Sequence, residues 1–348
     1  MSEKVRVSIL GATGYGGAGV ASCLLCHPAA ELVWAGSNTF AGRPLAEACP
    51  WLRGLTDLGC RPENPEEAAA EADVVFMAMQ KGEAMGWAPA VLAMGKKVID
   101  LSGDFRFRDP KVYEEWYGIA HASPELCAEA AYGLPELYED EIRAARLVAN
   151  TGCYPVGPIL GLFPLLREGL VEPAGIIVDA KSGVSGAGRA RHTLAYHFPE
   201  TNENMTAYRV GSHQHTPEIE QALSLAAGQD IVLSFTPHLV PVTRGILATM
   251  YATAKAAADD CHRTLVAAYA NSPFVRVLPE GECPSTKATF ASNYCDLAVF
   301  ADPRTGRVIV LSALDNLARG ASTQAVQAMN IMLGLEQGLG LPVAPVFP

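Results

Sequence analysis

The sequence predicts an α/β protein in which a doubly wound parallel-sheet domain is followed by an α+β domain with a mostly antiparallel sheet. Three observations carry the prediction. Strand and helix patterns alternate from the first residues to about 150, a glycine-rich turn joins the first strand to the first helix, and beyond 153 long strand patterns dominate. The 348 residues exceed what one hydrophobic core usually serves, so two domains are expected on size alone.

Residues 4–10 (KVRVSIL) alternate and then run apolar, as a buried first strand does, and a helical pattern follows the turn as far as His27-Pro28. Strand patterns at about 31–36 and 73–79, a helix near 84–94, and strands at 96–101 and 146–150 continue the alternation. After Thr151-Gly152-Cys153-Tyr154-Pro155 the strand candidates are 175–181, 231–236, 245–254, 274–278, 296–301 and 307–313. The last two are joined by a turn at Pro303-Arg304-Thr305-Gly306, and one helix is expected at 217–227. A final helix at about 318–334 has Ala325, Val326, Met329, Ile331, Met332 and Leu333 to bury and is expected to return to the first domain. The expected division is therefore 1–150 with 318–348, against 151–317.

Lys plus Arg number 26 against 37 Asp plus Glu, a net charge of −11 that argues against duplex nucleic acid or an anionic membrane as partner. No run has the apolar length of a bilayer span, and Met1-Ser2-Glu3-Lys4-Val5 leading into a strand is unlike a signal peptide, so a cytoplasmic location is expected. Nine scattered cysteines fit reduced thiols better than a disulfide framework. Cys23-Leu24-Leu25-Cys26-His27 matches the covalent haem pattern but falls inside the first helix. There Cys23 and Cys26 are expected to share the buried face with Val20 and Leu24, and no metal is expected.

Gly11-Ala12-Thr13-Gly14-Tyr15-Gly16 lies between a strand and a helix, the setting in which a tight turn lets backbone approach a pyrophosphate at the helix N-terminus. Gly11, Thr13, Gly14, Tyr15 and Gly16 are thus candidate cofactor contacts in a Rossmann-type domain, although their spacing departs from G-x-G-x-x-G. The second strand ends in Ala35-Gly36-Ser37-Asn38 without the carboxylate that usually holds the NAD ribose. With Ser37 and Arg43 able to donate to a 2′-phosphate, NADP(H) is expected over NAD(H).

Cys153 stands between a strand end and a helical pattern (Ile159, Leu160, Leu162, Phe163, Leu165, Leu166). A helix N-terminus lowers a thiol's pKa and aims N–H groups at an oxyanion, which suits acyl transfer. Lys181 to Arg189 reads as a polar, cationic loop suited to an anionic ligand. In Gly211-Ser212-His213-Gln214-His215-Thr216-Pro217-Glu218, Thr216 is the expected N-cap and Pro217 the first helical residue. Glu218 can then reach back to orient His215, while His213 is expected to point elsewhere and His238 to serve packing.

Taken together and in chain order, the Gly11 turn, Asp100-Leu101-Ser102-Gly103-Asp104-Phe105-Arg106, Tyr132-Gly133-Leu134-Pro135-Glu136, Gly152-Cys153-Tyr154-Pro155, the 181–189 loop, the 213–218 segment, Pro237-His238-Leu239-Val240-Pro241 with Arg244-Gly245, and Asp315-Asn316-Leu317 resemble the N-acetyl-γ-glutamyl-phosphate reductases of arginine biosynthesis. The resemblance implies NADPH reduction of a small acyl phosphate to an aldehyde with release of inorganic phosphate. It makes Cys153 the nucleophile and His215 the acid/base, supported by Glu218, and adds Ser182, Gly183 and Asn316 to the cofactor contacts. It also implies a fold shared with aspartate-semialdehyde dehydrogenases and a homo-oligomer, dimer or tetramer. Arg106, Arg189, Arg191 and Arg244 are candidates for the substrate carboxylate and phosphate, since guanidinium binds both in bidentate fashion. The family usually has Asn-Pro-Gly-Cys where Asn150-Thr151-Gly152-Cys153 stands here, Pro-His-Gly for Gln80-Lys81-Gly82, and Lys-Gly-Ala-Ala-Gly for Arg319-Gly320-Ala321-Ser322-Thr323. The alternatives are the same chemistry on aspartyl phosphate or carrier-bound aminoadipyl phosphate, and a nucleotide-sensing protein without catalysis.

Overall fold

The computed structural model describes residues 4–190 and 193–346. The chain forms two compact units, one of Met1–Thr151, Gly188–Ala190 and Ala321–Pro342, the other of Gly152–Ala187, Arg191–Gly320 and Val343–Pro348. No described helix is long and apolar enough to cross a membrane.

Seven parallel strands build the first unit: β1 (Val5–Leu10), β2 (Ala30–Gly36), β3 (Cys60–Arg61), β4 (Val74–Met77), β5 (Lys97–Asp100), β6 (Ala131–Gly133) and β7 (Leu147–Asn150). Their order is β3-β2-β1-β4-β5-β7-β6, with β1 and β4 side by side near the middle. Val7–Leu10 and Val74–Met77 are buried throughout, as strands covered on both faces require. The helix Thr323–Met332 is buried along its whole length in this unit. Its polar residues are satisfied there, Gln324 Nε2 donating to Gly133 O and Asn330 Nδ2 to Leu339 O. It begins later than the sequence pattern suggests, because Ala318–Ser322 winds as a π turn before it.

The glycine-rich turn follows β1 and leads into the helix Tyr15–Leu25. Gly11 has φ +80°, and a Cβ there would stand 2.2 Å from Ala78 O. The second close approach is made by Gly17 rather than Gly16: a Cβ on Gly17 would stand 2.2 Å from Gly11 O, whereas one on Gly16 meets Leu101 Cδ2 at 3.6 Å. The positions that the close approaches reserve for glycine are therefore Gly11 and Gly17, whereas a Cβ on Gly14 or Gly16 would meet nothing nearer than 3.6 Å.

The second unit holds β8 (Ile177–Gly183), β9 (Thr206–Ala207), β10 (Ser234–Val240), β11 (Ile246–Thr253), β12 (Val275–Val277), β13 (Cys295–Asp302) and β14 (Arg307–Leu314), in the order β12-β13-β14-β11-β8-β10-β9. The β12–β13 and β8–β10 pairs are parallel and the other four antiparallel. Along β11, Ile246, Ala248, Met250 and Ala252 are buried while Leu247, Thr249 and Tyr251 are half-buried, the period-2 signature of a sheet with one covered face. The cover is the helix Val156–Arg167, whose Gly157 and Gly161 let it settle close: a Cβ would stand 2.2 Å from Ser312 Oγ at the first and 2.7 Å from Met250 Cε at the second.

Replacing Gly17 with alanine forces the helix Tyr15–Leu25 off the turn and should cost about 1–3 kcal/mol, the range for overpacking. Gly16→Ala should be neutral or gain up to about 1 kcal/mol from helix propensity. Urea midpoints of the two variants check this, and equal midpoints would contradict it.

Candidate active site

Gly152 and Cys153 begin the second unit, three residues before the helix Val156–Arg167. Gly152 N–H donates to Glu218 Oε1 at 2.7 Å. A Cβ on Gly152 would stand 2.4 Å from His215 Nε2 and 2.9 Å from Glu218 Oε2, so imidazole and carboxylate both close on the α-carbon preceding Cys153. Gly320, in the π turn, closes from another side, since a Cβ there would lie 2.7 Å from Cys153 Cβ. Cys153 and His215 line a cavity of about 110 Å³ together with Ser182, Gly183, Tyr208 and Arg209.

The helix Thr216–Ala227 presents the imidazole and carboxylate, with one difference from the sequence expectation. Its N-cap is His215, not Thr216, so the imidazole sits on the helix end itself. Glu218 lies in the first turn and is fully buried, where the helix N-terminus and the Gly152 N–H stabilise its charge. His213 does not point elsewhere. Its ring is 4.8 Å from that of His215, and its Nδ1 accepts the His215 backbone N–H at 3.1 Å. Burial, with Arg209 as the lesser cause, pushes its pKa down to about 3, so His213 is a neutral prop rather than a proton carrier. His238 lies within β10, half-buried, with Nδ1 3.6 Å from Asp179 Oδ1, and so is not an apolar packing residue.

Burial raises the thiol pKa at Cys23 to about 12 and at Cys60 and Cys127 to about 11, and raises it at Cys49 and Cys261. Cys26 is exposed at the end of its helix, so Cys23 and Cys26 do not share a buried face. Among the described residues no His, Cys, Asp and Glu group could hold a metal.

Ser182 Oγ donates to Gly183 O, and Gly183 is pressed so close to Arg244 N that its Cβ would stand 2.7 Å away. Asn316 uses its amide within this unit, accepting from Gly245 N–H at 2.7 Å and donating to Ser185 Oγ at 3.0 Å. Arg244 is held by the buried Asp315. In the first unit Arg106 is buried and donates through Nε to Asn150 O at 2.8 Å. Arg189 lies in that unit too, its Nη1 3.0 Å from Thr13 O, while Arg191 falls outside the described residues.

At the nucleotide end, Tyr15 opens the helix, which has no acidic residue in its first turn and no side-chain cap. Thr13 Oγ1 and Ser37 Oγ are hydrogen-bonded at 2.9 Å, and Arg43 lies over the Phe40 ring with Glu47 as ion-pair partner. Glu63 closes on the glycine-rich turn from a distant segment. Its Oε1 accepts Gly11 N–H at 2.9 Å and its Oε2 accepts from Asn38 Nδ2 at 3.1 Å. Only the fold could reveal this, because Glu63 follows the two-residue edge strand β3.

The model "Semialdehyde dehydrogenase, NAD binding domain" matches residues 6–145, and "Semialdehyde dehydrogenase, dimerisation domain" matches 153–316. The N-acetyl-gamma-glutamyl-phosphate reductase of Symbiobacterium thermophilum is 53% identical over 351 residues, covering 99% of each chain. That of Desulforudis audaxviator is 50% identical over 346 residues, covering 99% of this chain and all of its own. The chain belongs to the N-acetyl-gamma-glutamyl-phosphate reductase family. Its fold is also that of aspartate semialdehyde dehydrogenase II from Vibrio cholerae, solved with ASA (TM-score 0.73, 16% identity, 96% of this chain and 99% of that one). The enzyme of Candida albicans, solved with NADP, has TM-score 0.70 at 16% identity, covering 95% and 99%.

Two departures from the family's usual residues have a physical account. Thr151 offers a hydroxyl that accepts from Gln324 Nε2, a bond proline could not make. Lys81 donates to Tyr117 O and lies over the Tyr117 ring. Arg319 is fully buried in the π turn beside Gly320.

The low pKa of His213 makes a signed prediction. The unfolded chain protonates this residue near its ordinary 6.5 and the folded chain only near 3, so stability falls as pH drops below about 6.5. The slope from this residue approaches about 1.4 kcal/mol per pH unit. His213→Asn keeps an acceptor for His215 N–H and should lose less stability between pH 7 and 5 in urea unfolding. Parallel curves for variant and parent would contradict it.

Proposed function

We propose that the protein reduces N-acetyl-L-glutamyl 5-phosphate to N-acetyl-L-glutamate 5-semialdehyde with NADPH, through a thioester on Cys153. The carrying observation is that His215 and Glu218 close on Gly152, the residue before Cys153, while Cys153 and His215 line one cavity. His215 takes the thiol proton, Glu218 balances the imidazolium, and the thiolate attacks the acyl carbonyl and expels phosphate. A bound nicotinamide dinucleotide phosphate supplies the hydride that reduces the thioester. The resulting oxyanion, steadied by the imidazolium, re-forms a carbonyl as it releases the Cys153 thiolate and the aldehyde.

The first unit fits such a dinucleotide in its own geometry. Gly11 has no room for a Cβ, the helix Tyr15–Leu25 opens without acidic residues or a side-chain cap, and Ser37 is tied to Thr13 at the end of β2. Residues 1–150 with 318–348 are read as the nucleotide domain and 151–317 as the catalytic one. Arg106 and Arg244 are the candidates for substrate anions. The half-buried outer sheet face around Leu247, Tyr251, Ile309 and Leu311 is read as the contact with a second copy, in keeping with the dimerisation domain that matches there. N-acetylglutamyl phosphate is preferred over aspartyl phosphate because the full-length relatives near 50% identity carry the former's name.

The test is phosphate-dependent oxidation of N-acetylglutamate semialdehyde with NADP⁺, run beside aspartate semialdehyde. Turnover of the first should dominate, with NADP⁺ preferred to NAD⁺ and the preference reduced by Ser37→Asp. Cys153→Ser should abolish turnover, and His215→Asn should lower it by about a hundredfold to ten-thousandfold. Acyl phosphate without cofactor should leave a thioester on the Cys153 peptide in mass spectra. Full activity in Cys153→Ser, or faster turnover of aspartate semialdehyde, would overturn the proposal.

A further inference from the structure

Arg189 is placed by sequence pattern among candidates for the substrate's anions, but its partners lie at the opposite chemistry. Gly188–Ala190 packs as part of the first unit, and Arg189 Nη1 donates to Thr13 O at 3.0 Å. Thr13 stands in the turn between Gly11 and Gly14, and its hydroxyl bonds to Ser37. The Cys49 thiol lies near enough to the guanidinium for its charge to oppose the rise that burial causes in the thiol pKa. Both partners are uncharged.

Other arginines around this turn are neutralised: Arg43 pairs with Glu47, and Arg61 with Glu71. Among the described residues Arg189 has no carboxylate partner, and it is exposed. A cation held by a carbonyl within a phosphate-binding turn is positioned by the fold while its charge stays uncompensated. Holding a bare guanidinium there has an evident use if an anion completes the site, because charge-assisted bonds to phosphate are stronger than bonds between neutral groups.

We infer that Arg189 clamps a phosphate group of the dinucleotide rather than the acyl-phosphate substrate, an inference that rests on the cofactor reading above. The phosphate is either the pyrophosphate, beside the helix that Tyr15 opens, or the 2′-phosphate, beside Ser37. Thr13 adjoins both positions along the chain or through its hydroxyl.

The experiment is equilibrium binding of NADPH and NADH to the full chain, followed by cofactor fluorescence, for the parent, Arg189→Gln and Arg189→Lys. Arg189→Gln should weaken NADPH binding by about tenfold to a hundredfold, as loss of a charge-assisted contact does. Arg189→Lys should recover part of it, which a merely structural role would not. Equal weakening of NADPH and NADH assigns the pyrophosphate; weakening of NADPH alone assigns the 2′-phosphate. At saturating NADPH the KM for acyl phosphate should stay within about twofold of the parent. If the parent binds NADPH and Arg189→Gln binds it equally while KM for acyl phosphate rises, Arg189 is a substrate residue and the inference fails. If the parent binds neither dinucleotide, the cofactor reading fails, and this inference with it.

Discussion

Gly152 has its N–H in a bond with Glu218 Oε1, and the volume its missing side chain leaves is taken by His215 Nε2 and Glu218 Oε2. Any other residue at 152 would drive the imidazole and carboxylate away from the backbone that carries Cys153. The cap of the helix Thr216–Ala227 depends on the same contact, because His215 is that cap and Glu218 its first turn. An imidazole and a carboxylate are thereby held against backbone some sixty residues away by one bond and one excluded methyl group.

That arrangement places a carboxylate in a fully buried position, which is costly unless its oxygens are hydrogen-bonded and its charge balanced. Gly152 supplies the bond, the helix N-terminus adds partial positive charge, and the imidazole adds a whole one whenever it takes a proton. His213 adds no such charge, since burial pushes its pKa down to about 3. Tyr154, Tyr208 and Phe235 pack around its ring, and its Nδ1 accepts the His215 N–H. Two histidines two residues apart thus differ in kind: one is kept neutral and braces the other.

The alternating strands, the glycine-rich turn, the strand end before Cys153 and the helix start that carries Glu218 are legible in the sequence because each is a local pattern. A strand announces itself by consecutive apolar residues, a turn by glycine, a helix start by Pro217. What stayed hidden depends on approach between distant segments. Gly16 and Gly17 look alike in sequence, and only the position of Gly11 O distinguishes them. Glu63 reaches Gly11 from the far end of an edge strand, and Gly320 meets Cys153 from a π turn that reads as the start of a helix. Arg189 carries no local mark separating a substrate arginine from a cofactor one; its contact with Thr13 does. His213 departs from expectation because alternation along an extended segment does not apply once the chain turns into a helix cap.

The acidic residues of Asp100-Leu101-Ser102-Gly103-Asp104-Phe105-Arg106 serve the scaffold. Asp100 Oδ1 accepts from the Ser102 N–H and hydroxyl, and Asp104 accepts from Gly82 N–H, Met85 N–H and Tyr113 OH. Burial, and then the neighbouring Asp104 charge, push the Asp100 carboxyl up to about 6, so close packing of two acids is tolerated only because so many donors surround them. The loop fixed in this way holds Arg106, which grips Asn150 O at the end of β7. Asn150 Nδ2 in turn bonds to Ala321 O, and Thr151 to Gln324. The last two residues of the first unit's opening segment are thus anchored by three bonds, and the next residue, Gly152, is bonded to Glu218 within the second unit. Cys153 follows a stretch of backbone fixed residue by residue, so a residue outside any strand or helix keeps a defined position.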